Sequence, residues 1–499
     1  MAVVAVLMVL GVLAVIGLAV AGLVYLGYIY YMHRKYDHLP GPPRKSFISG
    51  HIDDMTKCLQ DGKFTQDMIL EWCERYGPIV RLNFLHRVII FVSSPEAVRE
   101  LLVAGKYIKP PDQYQRIGSI FGERFLGEGL VTETNHERWH RRRRIMDPAF
   151  SRKYLQTLMD KFNTSGDLFV EKLQTLADGV MPVSMVDMFG RVTLDVIAKV
   201  AFSMDLNTIL DDHTPFPMAT YITLSALIQQ FRHPFMEYNP FQRDYIRKVR
   251  EACRLLRKTG HSVLQERQDQ IRRGEQLPND IMTLILKAND EDSGLTVEKL
   301  VDDFVTFFIA GSETTANQLS FTLMELGRYP DVLEKLRAEM REVCGNKEYI
   351  TYEDIGKLQY MGQVLKESLR MYPPATGTSR LVEEEMELCG HRIPGETVLI
   401  TSTYIMGHME KYYPEPYTFN PDRFTPDADR PLYTYFPFSL GSRSCIGQHF
   451  SQIEAKVLLC KFLQKLDFEL DPNQSFAVSE ASTLRPKGGC ICMLSKLEK

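Results

Sequence analysis

The chain has 499 residues, of which 44% are hydrophobic and 24% are charged. Its formal net charge of -4 gives no electrostatic reason to expect a nucleic acid partner. Nine cysteines, an odd number without a C-x-x-C pair, do not form the pattern of a disulfide framework. This cysteine usage predicts a reducing, cytosol-facing environment for most of the chain.

A long apolar stretch opens the chain. Residues 2–31 carry no charged side chain, which exceeds the roughly 20 residues that a membrane-spanning helix needs. Arg34 and Lys35 follow, and positive charge on this side predicts a lumenal N-terminus and a cytosolic remainder. We therefore predict a transmembrane anchor over residues 2–31 and a basic, proline-rich hinge over residues 32–45. A cleaved signal peptide is the alternative, but no basic segment precedes the apolar stretch.

Basic residues are concentrated in one predicted helix. Trp139 and Arg143 are four residues apart and therefore share a helix face. An indole N–H and a guanidinium are the donors that two carboxylates on a ligand would need. Arg141, Arg142 and Arg144 cannot share that face. They form either a solvated basic surface or a cationic patch for an electron-donating partner.

The segment over residues 231–241 has an unusual composition for a solvated connection. It is a proline-bearing loop between two amphipathic helices, and it contains five large apolar or aromatic side chains. Two interpretations remain open at this stage. The loop dips into a membrane, or it packs against a neighbouring part of the chain.

Residues 297–328 predict one long helix of about 48 Å at 1.5 Å per residue. A threonine hydroxyl within a helix can bond the carbonyl four residues earlier and bend the helix, here Thr314 and Ala310. Gly311 adds slack at the same turn, so we expect a local widening that holds water beside a ligand. Glu313 and Thr314 stand in an apolar surrounding, which argues against an ordinary polar helix face.

Four other charged residues on predicted helices are weaker indications of a functional role. Asp302 and Asp303 fit an ordinary polar helix face. Glu367 and Arg370 are three residues apart on a later helix, and that spacing is also common among surface ion pairs.

The most specific motif is the segment over residues 438–447, called the thiol loop below. Cys445 stands where a loop meets a helix-periodic apolar run, and the free amides and dipole of a helix N-terminus stabilise a thiolate. Gly441 and Gly447 let a flat ligand lie against bare backbone, and Arg443 offers a positive charge to an acidic group on that ligand. A buried, inert cysteine would explain neither the glycines nor the arginine.

These motifs resemble those of the cytochrome P450 family, which are haem-thiolate monooxygenases. The resemblance implies a mainly α fold with small β-sheets in one haem-binding domain over residues 46–499. It implies haem b as cofactor and NADPH–cytochrome P-450 reductase as the electron donor. It also implies a single-pass protein of the endoplasmic reticulum membrane with its catalytic domain in the cytosol.

The same resemblance assigns roles to individual residues. Cys445 is the axial iron ligand, and Glu313 and Thr314 deliver the protons that cleavage of the O–O bond requires. The residues implied to contact the haem are Trp139, Arg143, Ala310, Gly311, Arg380, Phe438, Gly441, Arg443, Cys445 and Gly447. A buried structural network consists of Glu367, Arg370 and Arg423. The residues expected to line the substrate pocket are Phe121, Leu126, Phe307, Ala310, Ala375, Thr376, Thr378, Ser482 and Thr483.

Within the family, the chain is most similar to the cholesterol 24-hydroxylase group, which predicts the substrate. The similarity lies in residues 120–124, 304–311, 365–370 and 435–440. It implies hydroxylation of a sterol, cholesterol foremost, on its side chain. A largely apolar pocket with few polar groups suits such a rigid hydrocarbon. Thr376 and Ser379 stand where that group has bulky aromatic residues, which predicts a broader specificity.

Other functions remain open. A fatty acid or a broader range of lipophilic compounds is the first alternative, and Arg116 could bind a fatty acid carboxylate. A haem-dependent isomerase or synthase, or a non-catalytic haem protein, is a further alternative. Neither of these needs the Glu313–Thr314 pair, which therefore favours a monooxygenase.

Overall fold

The computed structural model describes residues 2–233, 235–288 and 295–497 and confirms a mainly helical fold with small sheets. The helices are α1 (Ala2–Tyr36), α2 (Ile52–Gln60), α3 (Thr65–Tyr76), α4 (Pro95–Arg99), α5 (Pro111–Gly118), α6 (His136–Met146), α7 (Arg152–Gln156), α8 (Met159–Leu176), α9 (Met185–Phe202), α10 (Phe216–Arg232), α11 (Arg243–Arg273), α12 (Ile281–Ala288), α13 (Val297–Arg328), α14 (Pro330–Val343), α15 (Tyr352–Lys357), α16 (Gln359–Met371), α17 (Thr403–His408) and α18 (Gln448–Lys465). The strands are β1 (Ile79–Phe84), β2 (Arg87–Val92), β3 (Ser119–Ile120), β4 (Glu123–Arg124), β5 (Pro182–Ser184), β6 (Gly377–Val382), β7 (Met386–Leu388), β8 (His391–Ile393), β9 (Thr397–Ser402), β10 (Leu466–Leu470), β11 (Val478–Glu480), β12 (Leu484–Pro486) and β13 (Ile491–Lys496).

Helix α1 is long and apolar enough to cross a membrane, judged by length and composition. Within its segment from residue 3 to residue 36, a stretch of 18 residues has a mean hydropathy of 3.1. The helix continues past the predicted end at residue 31 and into the predicted hinge. Its last turns are held there because the His33 ring donates to the Leu85 carbonyl at 2.9 Å and the Tyr36 hydroxyl contacts the Thr397 hydroxyl at 2.8 Å. Residues 40–43 are non-helical, as their prolines predict.

The described chain forms two compact units, and the chain passes between them several times. The smaller unit consists of Met1–Tyr107, Gly377–Tyr412 and Pro431–Thr434. Its four-stranded sheet has the order β1-β2-β9-β6, in which β2 and β9 are parallel and the other pairs antiparallel. Strands β7 and β8 form a separate hairpin.

The larger unit consists of Ile108–Thr376, Tyr413–Arg430 and Tyr435–Lys499. Helix α13 has the predicted bounds and runs through its core, where it packs against α9, α11, α16 and α18. Strands β10, β13 and β5 form a small antiparallel sheet, with β13 in the middle.

Three charged residues lie in this core, against the prediction that they face solvent. Asp302 and Asp303 on α13 are 0% and 1% exposed, and Arg142 on α6 is 3% exposed. Arg142 pairs with Asp303, while Arg124 and Arg257 both pair with Asp302. The predicted polar face and the solvated or partner-binding role of Arg142 are therefore wrong, because these side chains are buried and are neutralised by oppositely charged groups within the protein.

The loop over residues 231–241 exposes its aromatic residues, although residue 234 lies outside the described residues. Phe235, Tyr238 and Phe241 are 79%, 80% and 92% exposed. For these three side chains, the interpretation that the loop packs against a neighbouring part of the chain is wrong. An exposed aromatic cluster of this kind marks an interaction surface.

Candidate functional site

The thiol loop leads directly into α18. The Cys445 amide donates to the Phe438 carbonyl at 2.9 Å and closes the loop, and α18 begins at Gln448 with Gly447 as its N-cap. Gly441 has a φ of +69°, a conformation that favours glycine. The predicted position of Cys445 at a helix N-terminus is confirmed. Among the cysteines of the described chain, Cys445 is the exposed one.

Opposing effects act on the Cys445 thiol. Desolvation by the surrounding protein raises its pKa, although the residue as a whole is solvent-accessible. The Gly447 amide and the positive charge of Arg143 lower that pKa. A metal-bound thiol is deprotonated, so these last two groups favour the form that would bind iron.

Helix α6 places Arg143 and Trp139 against the thiol loop. The Arg143 guanidinium donates to the Ser444 carbonyl at 2.7 Å, next to Cys445. The Arg443 guanidinium lies over the buried Trp139 ring, 3.9 Å from its centroid, and donates to a backbone carbonyl at 2.8 Å. The structure thus brings Trp139, Arg143 and Arg443 together beside the thiol, as their predicted role at ligand carboxylates requires.

Arg380 and Thr378 lie on β6 in the smaller unit. The Arg380 guanidinium donates to the Thr378 hydroxyl at 3.0 Å and to the Ser379 carbonyl at 2.9 Å. Ala375 and Thr376 precede this strand at the end of a segment of the larger unit. The predicted roles of these four residues remain predictions.

The middle of α13 has the predicted back-bond. The Thr314 hydroxyl donates to the Ala310 carbonyl at 2.8 Å. Ala310 is exposed and Gly311, Glu313 and Thr314 are half-buried, whereas most of this helix is buried. A Cβ at Gly311 would lie 2.8 Å from an Ile197 methyl group, so a larger residue would require the Ile197 side chain on α9 to shift.

Glu313 has two hydrogen-bond partners, and the sequence analysis predicted neither of these contacts. The Thr483 hydroxyl donates to the Glu313 carboxylate at 3.1 Å, and the Asn317 amide donates to it at 3.3 Å. Asn317 also donates to Thr483 at 3.0 Å, which closes a polar triangle. The four-residue spacing of Glu313 and Asn317 was the available signal.

Three other predicted pocket residues of the larger unit are buried, and two of them pack against aromatic rings. Phe121, Leu126 and Phe307 are 2%, 7% and 5% exposed. The Phe121 ring meets Tyr245 edge to face at 6.4 Å, and Phe307 meets Phe150 in the same way at 5.2 Å. Such contacts hold a rigid apolar interior. The half-buried pocket residues here are Ser482 and Thr483.

The predicted charge network is present. Arg370 donates two hydrogen bonds to the Glu367 carboxylate at 2.7 and 2.8 Å, and Arg423 lies 3.3 Å from the same carboxylate. The Asn420 amide donates to it at 3.0 Å. The Glu367 and Arg370 side chains are both 0% exposed. The network fixes the segment around residue 420 against α16.

The donor set fits a haem. An accessible thiol at a helix N-terminus, two arginines beside it and a partly exposed stretch of α13 occur in one unit. A thiolate and two guanidinium groups match an iron ion within a ring that carries two carboxylates.

Comparison with known proteins decides the family. The family model described as Cytochrome P450 matches residues 40–493. The chain is a member of the cytochrome P450 family. Cytochrome P450 4d2 of Drosophila melanogaster is 28% identical, over 93% of this chain and 94% of its own length. The human Ultra-long-chain fatty acid omega-hydroxylase is 30% identical, over 91% of this chain and 88% of its own length.

Membership of the family settles the general chemistry of this cytochrome P450. It is a monooxygenase that uses haem b with an axial cysteine thiolate. It takes electrons from a redox partner and binds lipophilic substrates. Its N-terminal apolar helix is consistent with a membrane anchor.

The prediction of a sterol substrate is wrong. These relatives place the chain beside a fatty acid ω-hydroxylase rather than the cholesterol 24-hydroxylase group. The physical reason for the error is that an apolar, neutral pocket lining is suited to any long hydrocarbon. It therefore does not distinguish a rigid sterol from a flexible acyl chain.

Proposed function

We propose that this cytochrome P450 hydroxylates long-chain fatty acids at or near the methyl end. The observation that carries the proposal is the 30% identity, over nearly the whole of both chains, to a human fatty acid ω-hydroxylase. The overall reaction joins substrate, O2, NADPH and one proton to give hydroxylated product, water and NADP+. The electron donor in this proposal is NADPH–cytochrome P-450 reductase.

In this proposal, Cys445 is the axial ligand, and Trp139, Arg143 and Arg443 hold the haem carboxylates. When bound, the haem supplies the iron centre at which O2 is reduced and one oxygen atom enters a C–H bond. Desolvation raises the pKa of the Cys445 thiol, and the Gly447 amide and the Arg143 charge oppose that rise, so these two groups favour the thiolate that would bind iron.

The α13 residues handle protons. The Thr314 hydroxyl is fixed by its hydrogen bond to the carbonyl of Ala310, which is an exposed residue of the same helix turn. Glu313 is held in one orientation by Thr483 and Asn317. A fixed hydroxyl and a fixed carboxylate on the same helix turn are groups that ordered proton delivery can use.

Arg116 is our candidate for the carboxylate of the fatty acid. It is an exposed residue on α5, shortly before the β3–β4 hairpin that carries Phe121. Its backbone carbonyl is fixed by the Gln230 amide at 3.1 Å. Hydroxylation at the methyl end places the carboxylate far from the thiol, so a cation at the surface fits better than one beside Cys445.

We further propose that the protein is a single-pass protein of the endoplasmic reticulum membrane, with α1 as the anchor. The exposed residues Phe235, Tyr238 and Phe241 support a second membrane contact through the loop over residues 231–241. Removal of residues 1–36 should leave a haem-loaded protein that still binds vesicles. Full solubility of that truncated protein at low salt would contradict the loop contact.

The deciding experiment titrates the purified protein with long-chain fatty acids and with cholesterol, followed by product analysis with reductase and NADPH. A high-spin spectral shift and an ω-hydroxylated product from the fatty acid support the proposal. Turnover of cholesterol without any turnover of fatty acids would contradict it.

A paired substitution tests Arg116. Arg116→Gln should raise KM for a fatty acid about tenfold without changing KM for the matching fatty alcohol, because only the acid carries a charge. Arg272→Gln, on an exposed arginine at the end of α11, is the control. Equal changes in KM for the fatty acid and the fatty alcohol would show that Arg116 does not bind the carboxylate.

A further inference from the structure

The first half of α11 is strongly basic, although the chain as a whole has a net charge of -4. Residues 243–258 contain seven arginine or lysine side chains and two acidic side chains. One of the seven, Arg257, pairs with the buried Asp302 carboxylate. Among the described residues, none of the other six pairs with a fully buried acid. This half of α11 therefore presents a positive surface.

Four of these arginines line one cleft, called the arginine cleft below. It has a volume of about 400 Å³, and its lining residues are Glu237, Arg243, Ile246, Arg247, Arg250 and Arg254. The arginines follow one another at intervals of four, three and four residues, so they share a helix face and the cleft runs along α11. Four guanidinium groups and one carboxylate give the cleft a positive potential, and guanidinium groups are suited to phosphate oxygens.

The first two arginines have the weakest competing partners. Arg243 is exposed and pairs with no acidic side chain of the described chain. Arg247 lies 3.2 Å from Asp244 and 3.9 Å from Glu251, but all three side chains are at least 62% exposed. Ion pairs that are open to water contribute little, so a phosphate can displace these carboxylates.

The other two arginines also hold the β3–β4 hairpin. Arg250 pairs with Glu237 at 2.8 Å and donates to the Phe121 carbonyl at 2.9 Å. Arg254 pairs with Glu123 on β4. Both guanidinium groups are partly exposed, so they add positive charge to the cleft. Because a substitution of either one would disturb the hairpin, a test of the cleft has to change the first two arginines instead.

Exposed aromatic side chains directly precede the cleft arginines in the chain. Phe235, Tyr238 and Phe241 are 79%, 80% and 92% exposed, and Phe241 stands two residues before Arg243. Aromatic rings beside arginines suit the lipid–water interface, where the rings enter the boundary layer and the cations meet headgroup phosphates. A free phosphate ion would use the arginines but not the rings. The combination therefore favours a lipid.

We propose that the arginine cleft binds the headgroup phosphate of an anionic phospholipid, while Phe235, Tyr238 and Phe241 enter the adjacent lipid. Arg243 and Arg247 make the main contacts, because their competing ion pairs are the weakest. The inference rests on the membrane contact in the proposed function and adds a lipid selectivity to it. An aromatic contact alone would not distinguish an anionic from a zwitterionic lipid.

Hydrogen exchange of the full-length, haem-loaded protein in lipid nanodiscs tests the cleft. Helix α1 holds every variant on the disc, so local exchange reports on the cleft rather than on attachment of the protein. Exchange of the backbone amides in residues 235–247 should be several-fold slower on phosphatidylglycerol discs than on phosphatidylcholine discs. The double variant Arg243→Gln, Arg247→Gln should lose this difference between the two lipids.

The control is the double variant Arg272→Gln, Arg273→Gln, which removes the same charge from the last turn of α11. Both arginines are more than half exposed, and the control variant should keep the difference between the lipids. Equal losses in both double variants would show a general effect of net charge and would overturn the cleft. Identical exchange of the unmutated protein on both kinds of disc would also overturn it, since the headgroup would then have no influence.

A calorimetric titration separates the lipid from free phosphate. The full-length protein in neutral detergent at low salt is titrated with dihexanoyl phosphatidylglycerol, dihexanoyl phosphatidylcholine or inorganic phosphate. The phosphatidylglycerol should bind and the phosphatidylcholine should not. Arg243→Gln, Arg247→Gln should bind the phosphatidylglycerol about tenfold more weakly, with an unchanged thermal midpoint.

Binding of phosphate without binding of phosphatidylglycerol would overturn the assignment to a lipid. Absence of both would overturn the cleft as an anion site. Failure of the protein to insert into discs of either lipid would contradict the membrane part of the proposed function, while the titration would still test the cleft.

Discussion

Two buried carboxyl groups on helices that pack against α13 differ in the partners that surround them. Glu367 on α16 and Glu454 on α18 are both 0% exposed. Glu367 binds Arg370 and Arg423 and accepts a backbone amide. Neither oxygen of Glu454 has a hydrogen-bond partner among the described residues, and the Thr315 hydroxyl is the polar group beside it.

The difference shows that the partners of a buried acid decide its charge. Desolvation raises the pKa of Glu454 well above its usual value of 4.5, and the Thr315 hydroxyl only partly opposes this effect. Glu454 is therefore a neutral acid, in keeping with the rule that an unpaired buried carboxylate binds a proton instead. Glu367 has two guanidinium groups to balance a negative charge. The predictions below test this contrast, from the largest expected effect to the smallest.

Glu367→Gln should destabilise the protein strongly. The substitution leaves the buried Arg370 guanidinium without its negative partner, and breaking such a pair costs about 3–5 kcal/mol. We expect a lower unfolding midpoint and a lower haem content after purification, measured by chemical denaturation and by haem absorbance. Glu454→Gln is the matched control, and equal losses in both variants would refute the contrast.

Thr314→Ala should uncouple oxygen consumption from product formation. Loss of the hydroxyl disorders proton delivery, so the fraction of NADPH electrons recovered in product should fall about tenfold or more while hydrogen peroxide rises. Thr322→Ala removes an equivalent back-bonded hydroxyl from α13 and is the control, since Thr322 donates to the Gln318 carbonyl at 2.8 Å. If oxygen consumption stays coupled to product formation in Thr314→Ala, Thr314 has only a packing role.

Glu454→Gln should become more stable than the unmutated protein as pH rises. The folded-state pKa of Glu454 lies above its unfolded value, so the stabilisation from its bound proton is complete below about pH 4.5 and decreases as pH rises. Glutamine does not titrate. The difference in unfolding free energy should therefore grow with pH by up to about 1.4 kcal/mol per unit. Parallel stability curves for the two proteins between pH 5 and pH 9 would show that Glu454 is paired.

Thr315→Val should have the smallest effect. Its hydroxyl is buried without a partner at hydrogen-bond geometry in the described chain, so its removal should change stability by less than about 1 kcal/mol. Coupling should stay at the level of the unmutated protein, which separates Thr315 from its neighbour Thr314. A larger loss in chemical denaturation would reveal a bond that ties Thr315 to Glu454.

Most of the structural features that the sequence predicted correctly are determined by interactions between residues close together in the chain. The bounds of α13 and the bond from Thr314 to Ala310 follow from helical periodicity and a four-residue spacing. The position of Cys445 just before α18 follows from the helix-periodic apolar run after the thiol loop. The Glu367–Arg370–Arg423 network was also predicted, but through family resemblance, since Arg423 is distant in sequence.

The errors concern residues whose partners are far away in the chain. Arg142 and Asp303 are 161 residues apart, and Arg124 and Asp302 are 178 apart. No local pattern distinguishes a charged residue with such a partner from one that faces water. The contact between Thr483 and Glu313 spans a similar separation and was missed for the same reason, whereas Asn317 is only four residues from Glu313. The prediction of a sterol substrate failed because the identities of neutral apolar side chains do not reveal the shape of the substrate that they bind.

The sequence by itself determined the anchor-like helix, the long central helix and the thiol at a helix start. Helix periodicity, apolar length and glycine placement act over a few residues, so these features can be read from the chain directly. Only the tertiary structure decided which charges are buried and which of them share a partner. Folding decides these pairings because the free energy of a buried charge depends on groups that the fold brings from distant segments.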